Sequence, residues 1–177
     1  MRRWMTVMML TCALVLLLIL TFHGAGDDLD SLARKGAIQA DALDKASVEI
    51  VIEAPPQKVW SVLTDVNDWP KWQSDISEAQ IAGPLERGTA FTWKTGGIRI
   101  QSRMSLVEPN AQLAWTGSVL NVKAVHVWKL EPIRGNKTLV KVDESMSGFP
   151  LTLFYSSRDL EESDRLWLVR LKAAAEQ

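Results

Sequence analysis

The sequence predicts an α+β domain, an antiparallel sheet with its helices gathered on one side, placed behind an apolar N-terminal segment. Three observations carry this. Strand-type alternation recurs in six segments between Ile76 and Met146, punctuated by turn residues. One further strand and a short helical pair precede them. A single long helical seam closes the chain.

In chain order, Met5 to Phe22 come first, 18 residues without a charge, flanked by Arg2 and Arg3 before and by Asp27 and Asp28 after. At about 1.5 Å rise per residue such a helix nearly spans a hydrocarbon core of about 30 Å. Residues 1–26 therefore read either as an uncleaved signal anchor or as a signal peptide. The apolar run is long for a signal peptide and Gly24-Ala25-Gly26 is a weak cleavage site, which favours the anchor. In both cases the arginine pair stays in the cytoplasm and the remainder crosses the membrane. The expected location is the cytoplasmic membrane, single-pass, with the domain on the outer side; the alternative is a secreted or periplasmic domain after cleavage.

The exported part holds 18 basic against 21 acidic residues, a net charge of −3, and no Lys/Arg run. A nucleic-acid partner is not expected, because phosphate contact needs a basic face. The one cysteine, Cys12, lies in the apolar segment, so the domain has no disulfide of its own. With His23 in the membrane flank and His126 in the domain, no zinc-type cluster can be assembled, and no cofactor is expected.

Residues 27–47 are polar and charged with an irregular scatter of Leu and Ala, a tether that is partly helical at most. The folded domain is expected over 48–177. VEIVIEAP alternates up to Pro55, a strand; PPQKVWSVLTDV carries Val59, Trp60, Leu63 and Val66 at helical spacing with Pro at its start. A second helical turn follows through NDWPKWQSD. The next strands are 76–82, 89–94, 98–107, 112–118, 122–131 and 138–146, with turns at Gly83-Pro84, Gly96-Gly97, Pro109-Asn110 and Gly135-Asn136. After Pro150 one helical seam runs Leu153, Ser157, Leu160, Asp164, Trp167, Leu171, Ala174. Ser157 and Asp164 interrupt it; Asp164 reads either as an inward polar group or as a solvated position off the seam, and the second is favoured.

The stretches IEAPPQKVWSVLTDVNDWPKWQSDI (52–76), PLERGTAFTWKTGGIRIQSRMSLVEPNAQLAWTG (84–117), VKAVHVWKLEP (122–132) and LKAAAEQ (171–177) resemble the SRPBCC superfamily, also called START-like or Bet v 1-like, in its polyketide cyclase/dehydrase branch. APPxxVW followed by DxxxWPxW is the more specific signal. The resemblance implies a helix-grip fold, a curved seven-stranded antiparallel sheet wrapped around the C-terminal helix, with a cavity between them that holds lipids, sterols, polyketides or other apolar molecules. Fold alone does not settle function.

In AVHVWKLEP (124–132) one strand face carries Ala124, His126, Trp128 and Leu130, the apolar set expected to face the cavity. In the next strand Val140, Val142, Glu144 and Met146 alternate likewise. Keeping both sets on one side requires paired residue numbers to add to an even total. A total of 270 sets His126 opposite Glu144 but Lys129 opposite Lys141; 272 relieves the lysines and leaves His126 and Glu144 diagonal. Either way the two are neighbours. They read as a register-fixing polar pair, as ligand-orienting groups, or as an acid/base couple.

Trp93, Trp115, Trp128 and Trp167, with His126 and Glu144, are the candidate ligand-binding residues. Trp60 belongs to an apolar helical stripe and reads as core. Trp69 and Trp72 flank Pro70 and form either a cavity lip or a pin between the helical pair and the sheet. The leading expectation is a membrane-tethered domain that binds a hydrophobic small molecule of lipid, isoprenoid or polyketide type. The alternatives are a cyclase or dehydratase using His126 and Glu144, and a scaffold whose interior its own tryptophans fill. No Ser/His/Asp or Cys/His set and no phosphate loop is present.

The anchor reading has a direct test. The full chain is expected to stay in the membrane fraction through a carbonate wash, and recovery of a mature chain starting near Asp27 from the soluble periplasmic fraction overturns it.

Overall fold

The computed structural model describes residues 28–148 and 155–177. The Met5–Phe22 segment, Cys12, His23, the Gly24–Gly26 site, Pro150 and Leu153 lie outside them. Among the described residues no helix is long and apolar enough to cross a membrane.

The chain runs α1 (28–34), β1 (Asp44–Ile52), α2 (Pro56–Thr64), a 3-10 turn (Val66–Asp68), α3 (Trp69–Trp72), β2 (Ile76–Ile81), β3 (Ala90–Thr95), β4 (Ile98–Glu108), β5 (Gln112–Val119), β6 (Val122–Ile133), β7 (Lys137–Ser147) and α4 (Ser157–Ala175). The seven strands form one sheet in the order β1-β7-β6-β5-β4-β3-β2, every pair antiparallel. β1 and β2 are the two edges, so the α2–α3 unit bridges from one edge to the other. This is the expected helix-grip arrangement.

The sheet curves at two bulges. Pairing shifts between Ile76 and Glu78 in β2 and between Met104 and Leu106 in β4, where Ser105 is the extra residue and is fully buried. An added residue bends its strand and increases the local twist. The β3–β4 hairpin closes through Gly96 and Gly97, both at positive φ, the backbone a two-residue turn between twisted strands requires.

Pro55 caps and Pro56 opens α2, which buries Val59 and Leu63. Trp69 pins the helical pair: its side chain is fully buried, Nε1 donates to the Leu63 carbonyl at 2.8 Å, and its ring meets Phe91, Trp93, Trp115 and Trp167 at 5.1–6.2 Å. Between the two roles open to Trp69, the pin is the one found. Trp60 packs against the core, as its stripe predicts.

α4 starts at a capping box in which Ser156 Oγ accepts from the Asp159 amide and Asp159 returns a carboxylate to the Ser156 amide at 2.9 Å. Its buried residues are Leu160, Asp164, Leu168, Leu171 and Ala175. The seam therefore includes Leu168 and Ala175 in place of Ala174. Leu160 packs with Ala46, Val122 and Met146, whereas Leu168, Leu171 and Ala175 join the main core. The turn between these two anchor points carries Asp164 and Trp167.

Two differences from the sequence expectation concern residues 27–47. β1 begins at Asp44 rather than Val48, because Asp44 through Ser47 continue the pairing with β7 as far as Met146. The segment is also not a free tether. Leu29, Leu32 and Ala33 of α1 share one helical face and cover the outer side of the sheet, against Ala114, Val125 and Val127. The outward face of β6 is thus roofed. A Schellman motif ends α1, the Ala37 amide bonding the Leu32 carbonyl and the Gly36 amide that of Ala33. Gly36 sits at φ +63, and a Cβ there would collide with the Gln112 side chain.

The roof is testable at Ala33, which has no exposed surface. Ala33→Glu is expected to destabilise the fold by about 1–3 kcal/mol through overpacking and loss of the seal over Val125 and Val127. A change in denaturation midpoint equivalent to less than about 0.5 kcal/mol would mean that the segment is a tether after all.

Candidate functional site

The β6–β7 register has the total 270, with His126 directly opposite Glu144. Lys129 does face Lys141, and the repulsion is relieved along the diagonals: Lys129 reaches Asp143 at 3.6 Å and Lys141 reaches Glu131 at 3.1 Å. β5 extends the same row, because Trp115 pairs with His126. Met104, Trp115, His126, Glu144 and Ala46 thus lie side by side across five strands.

Between this row and the Leu160–Trp167 part of α4 is a cavity of about 250 Å³. All six candidate residues, Trp93, Trp115, His126, Trp128, Glu144 and Trp167, line it. So do residues the sequence reading did not select: Asp164, Ser163 and Tyr155 from the α4 segment, Ile98, Ile100, Val119 and Val122 from the strands, and Gly117. At Gly117 a Cβ would meet Ser102, Ile100 and His126 at ordinary contact distance, so its missing side chain leaves room beside the imidazole.

The walls are aromatic. His126 stacks on Trp115 with ring centres 4.9 Å apart, and Trp115 stacks on Trp128 at 6.0 Å. Trp167 meets Trp93 and Trp128 edge-on at about 6 Å. Trp93 Nε1 donates to Ser102 Oγ at 3.1 Å, whereas the indole N–H groups of Trp115 and Trp128 are buried without a partner among the described residues.

Of the two readings open to Asp164, the inward polar group is the one found, against the favoured solvated position. It is 3% exposed rather than solvated, and it hydrogen-bonds Glu144. His126 Nδ1 lies 3.0 Å from Glu144 Oε2, so three titratable groups form one buried chain. Burial pushes the Asp164 carboxyl up to about 9, reinforced by the charge of Glu144 and by the proton it gives in their hydrogen bond. Burial likewise raises Glu144 to about 8, against the hydrogen bond it accepts from Asp164. Burial pulls His126 down to about 4, partly opposed by the charge of Asp164.

These directions fix the neutral arrangement: Asp164 donates to Glu144, Glu144 donates to His126 Nδ1, and the imidazole keeps its proton on Nε2. Moving one proton across the 3.0 Å contact gives imidazolium and carboxylate at the same net charge. The chain can therefore relay a proton without changing the net charge of the apolar site. Among the described residues no three His, Cys, Asp or Glu side chains are grouped as metal ligands.

The shifts dictate how stability varies with pH. Both acids keep in the folded state a proton that the unfolded chain releases in the ordinary carboxylate range, so they lower stability as pH rises towards 8–9. His126 acts oppositely, but only between about 4 and its unfolded value near 6.5. From about pH 6.5 to 9 the loss is uncompensated, at most about 1.4 kcal/mol per pH unit for each acid. The thermal midpoint is expected to fall across that window. Glu144→Gln, whose amide can give and accept the same two bonds, should flatten the fall; an equal slope in the variant would refute the assignment.

A family model described as "Polyketide cyclase / dehydrase and lipid transport" matches residues 44–162. No curated relative matches by sequence. Among solved structures, a hypothetical protein from Helicobacter pylori superposes with a TM-score of 0.69 at 21% identity, over 77% of this chain and 90% of that one. The Zhui aromatase/cyclase from Streptomyces sp. R1128 superposes with a TM-score of 0.61 at 14% identity, over 75% and 93% of the two chains. The di-domain aromatase/cyclase BexL from the BE-7585A biosynthetic pathway gives 0.61 at 21%, over 75% of this chain and 46% of its own. At such identities the structures share the fold, and the family match spans all seven strands, Tyr155 and the start of α4 with Leu160. The chain is a member of the polyketide cyclase / dehydrase and lipid transport family.

Proposed function

We propose that the chain is a membrane-tethered domain on the outer side of the cytoplasmic membrane that binds a small hydrophobic molecule in the cavity under α4. The observation that carries the binding reading is a space of about 250 Å³ walled by Trp93, Trp115, Trp128 and Trp167 and left open by Gly117. A scaffold packed by its own tryptophans would have no such space. The tether rests on the charge-free Met5–Phe22 run behind Arg2 and Arg3. Pockets for drug-sized ligands are about 300–1,000 Å³, so the body accommodated is one or two rings rather than a full lipid chain.

A second reading, proton-transfer catalysis on such a molecule, is favoured by the Asp164–Glu144–His126 chain and by the aromatase/cyclases among the structural neighbours. In an aldol-type cyclisation the chain would protonate a carbonyl oxygen at one end and take a proton at the other. No nucleophile accompanies it, and binding without turnover is the primary proposal.

The test uses an uncharged, polarity-sensitive naphthalene dye with the purified full-length chain. It should bind, quench tryptophan fluorescence and be displaced by bicyclic apolar competitors. Gly117→Val, which fills the space beside His126, should weaken it at least about tenfold. Absence of binding, or equal binding by the variant, defeats the proposal. Glu144→Gln should bind the dye within about threefold of the unaltered chain, since its hydrogen bonds persist. If the unaltered chain transforms any compound and Glu144→Gln slows that turnover about 100-fold with binding intact, the catalytic reading replaces the primary one.

A further inference from the structure

The charge around the cavity is one-sided. Asp75, Glu144 and Asp164 border it together with His126, and no lysine or arginine does. Asp75 is already paired, accepting from Arg170 Nη1 at 2.5 Å. Glu144 is taken up by His126 and Asp164. Asp164 is not: its Oδ2 is buried and accepts from no group among the described residues. The groups that bear on it are Glu144 and Asp143 from β7, His126 from β6 and, on its own segment, Tyr155 and Ser163. Only the imidazole among them can carry positive charge.

An unmet buried acceptor in an acidic, indole-walled space calls for a donor, and the strongest donor is an ammonium group. Indole faces attract a cation, and a ligand body stacked on them is desolvated together with its charge. A carboxylate or phosphate at the same place would face buried acids with no counter-charge. We propose that the cavity selects a small amine: an aromatic or alicyclic body among Trp115, Trp128 and Trp167, and a protonated nitrogen held by the Asp164 carboxylate.

This deepens the binding reading and rests on it. Protons balance as follows. The empty chain of three groups is neutral; when the ammonium enters, the Asp164–Glu144 pair releases one proton to solvent and the resulting negative charge is neutralised by the ligand. Amine affinity therefore rises with pH between about 6 and 8, where an alkylamine remains protonated.

Three probes of one body separate the charge states: 2-phenylethylamine, 2-phenylethanol and 3-phenylpropanoate, measured against the purified full-length chain by displacement of the uncharged naphthalene dye and by calorimetry in two buffers of different ionisation enthalpy. The amine should bind about ten- to hundredfold tighter than the alcohol at pH 8, and the propanoate weakest. About one proton should be released per amine bound. Asp164→Asn should reduce the amine to the level of the alcohol while leaving the alcohol within about threefold. The alcohol or propanoate binding as tightly as the amine overturns the inference, independently of how the variant folds, as does undiminished amine binding by a folded Asp164→Asn. If the dye binds and the amine does not displace it, selection by charge fails and the cavity remains a binding site. If neither binds, both readings fail.

Discussion

The structure depends on one register. Pairing β6 with β7 at a total of 270 puts His126 opposite Glu144, and the β5 pairing adds Trp115 to the same row. Side chains alternate with period two, so a slip of β6 by one residue would send His126 and Trp128 to the convex face, away from Glu144, and bring Val125, Val127 and Lys129 inside. Both faces of β6 resist that slip: Val125 and Val127 are sealed under α1 while Trp128 and Leu130 are buried in the core. The pairing of Lys129 with Lys141 is the cost of this register, and the diagonal contacts to Asp143 and Glu131 offset it.

The cavity follows from how α4 meets that sheet. Leu168, Leu171 and Ala175 seat one end of the helix in the main core, and Leu160 seats the other against Ala46, Val122 and Met146. The intervening turn presents Ser163, Asp164 and Trp167. With a leucine in place of Asp164 the apolar seam from Leu160 to Leu168 would be unbroken. Gly117 on the facing strand supplies the remaining space, and the bulge at Ser105 bends β4 around it.

Much of this was legible in the sequence. The alternation in β6 and β7 identified the inward set, and parity alone made His126 and Glu144 neighbours before any register was chosen. The choice between totals is not legible, because direct pairing disfavours 270 at Lys129 and Lys141, and the diagonal contacts to Asp143 and Glu131 that relieve it depend on how long side chains lie across the outer face. Asp164 was visible as a break in the seam, but an aspartate reads as solvated unless its partners are known, and those lie on distant strands. The roof was missed differently. Leu29, Leu32 and Ala33 do have helical spacing, but among so many charges a three-residue stripe is too short to announce a face.

The buried chain itself argues for a site rather than a fixing device. Replacing buried ionisable groups by apolar ones of similar volume is often neutral or stabilising, so retaining three such groups needs a reason other than stability. Fixing the register would explain His126 and Glu144, which complete each other's hydrogen bonding across 3.0 Å. It does not explain Asp164, which enters from another element, adds a second buried acid and brings an oxygen that nothing among the described residues satisfies. Local consistency is given up at this point, and the indole N–H groups of Trp115 and Trp128 are left unpartnered nearby. A polar group that the protein leaves unmet, on the wall of a space that its own side chains do not fill, is matched to something from outside the chain.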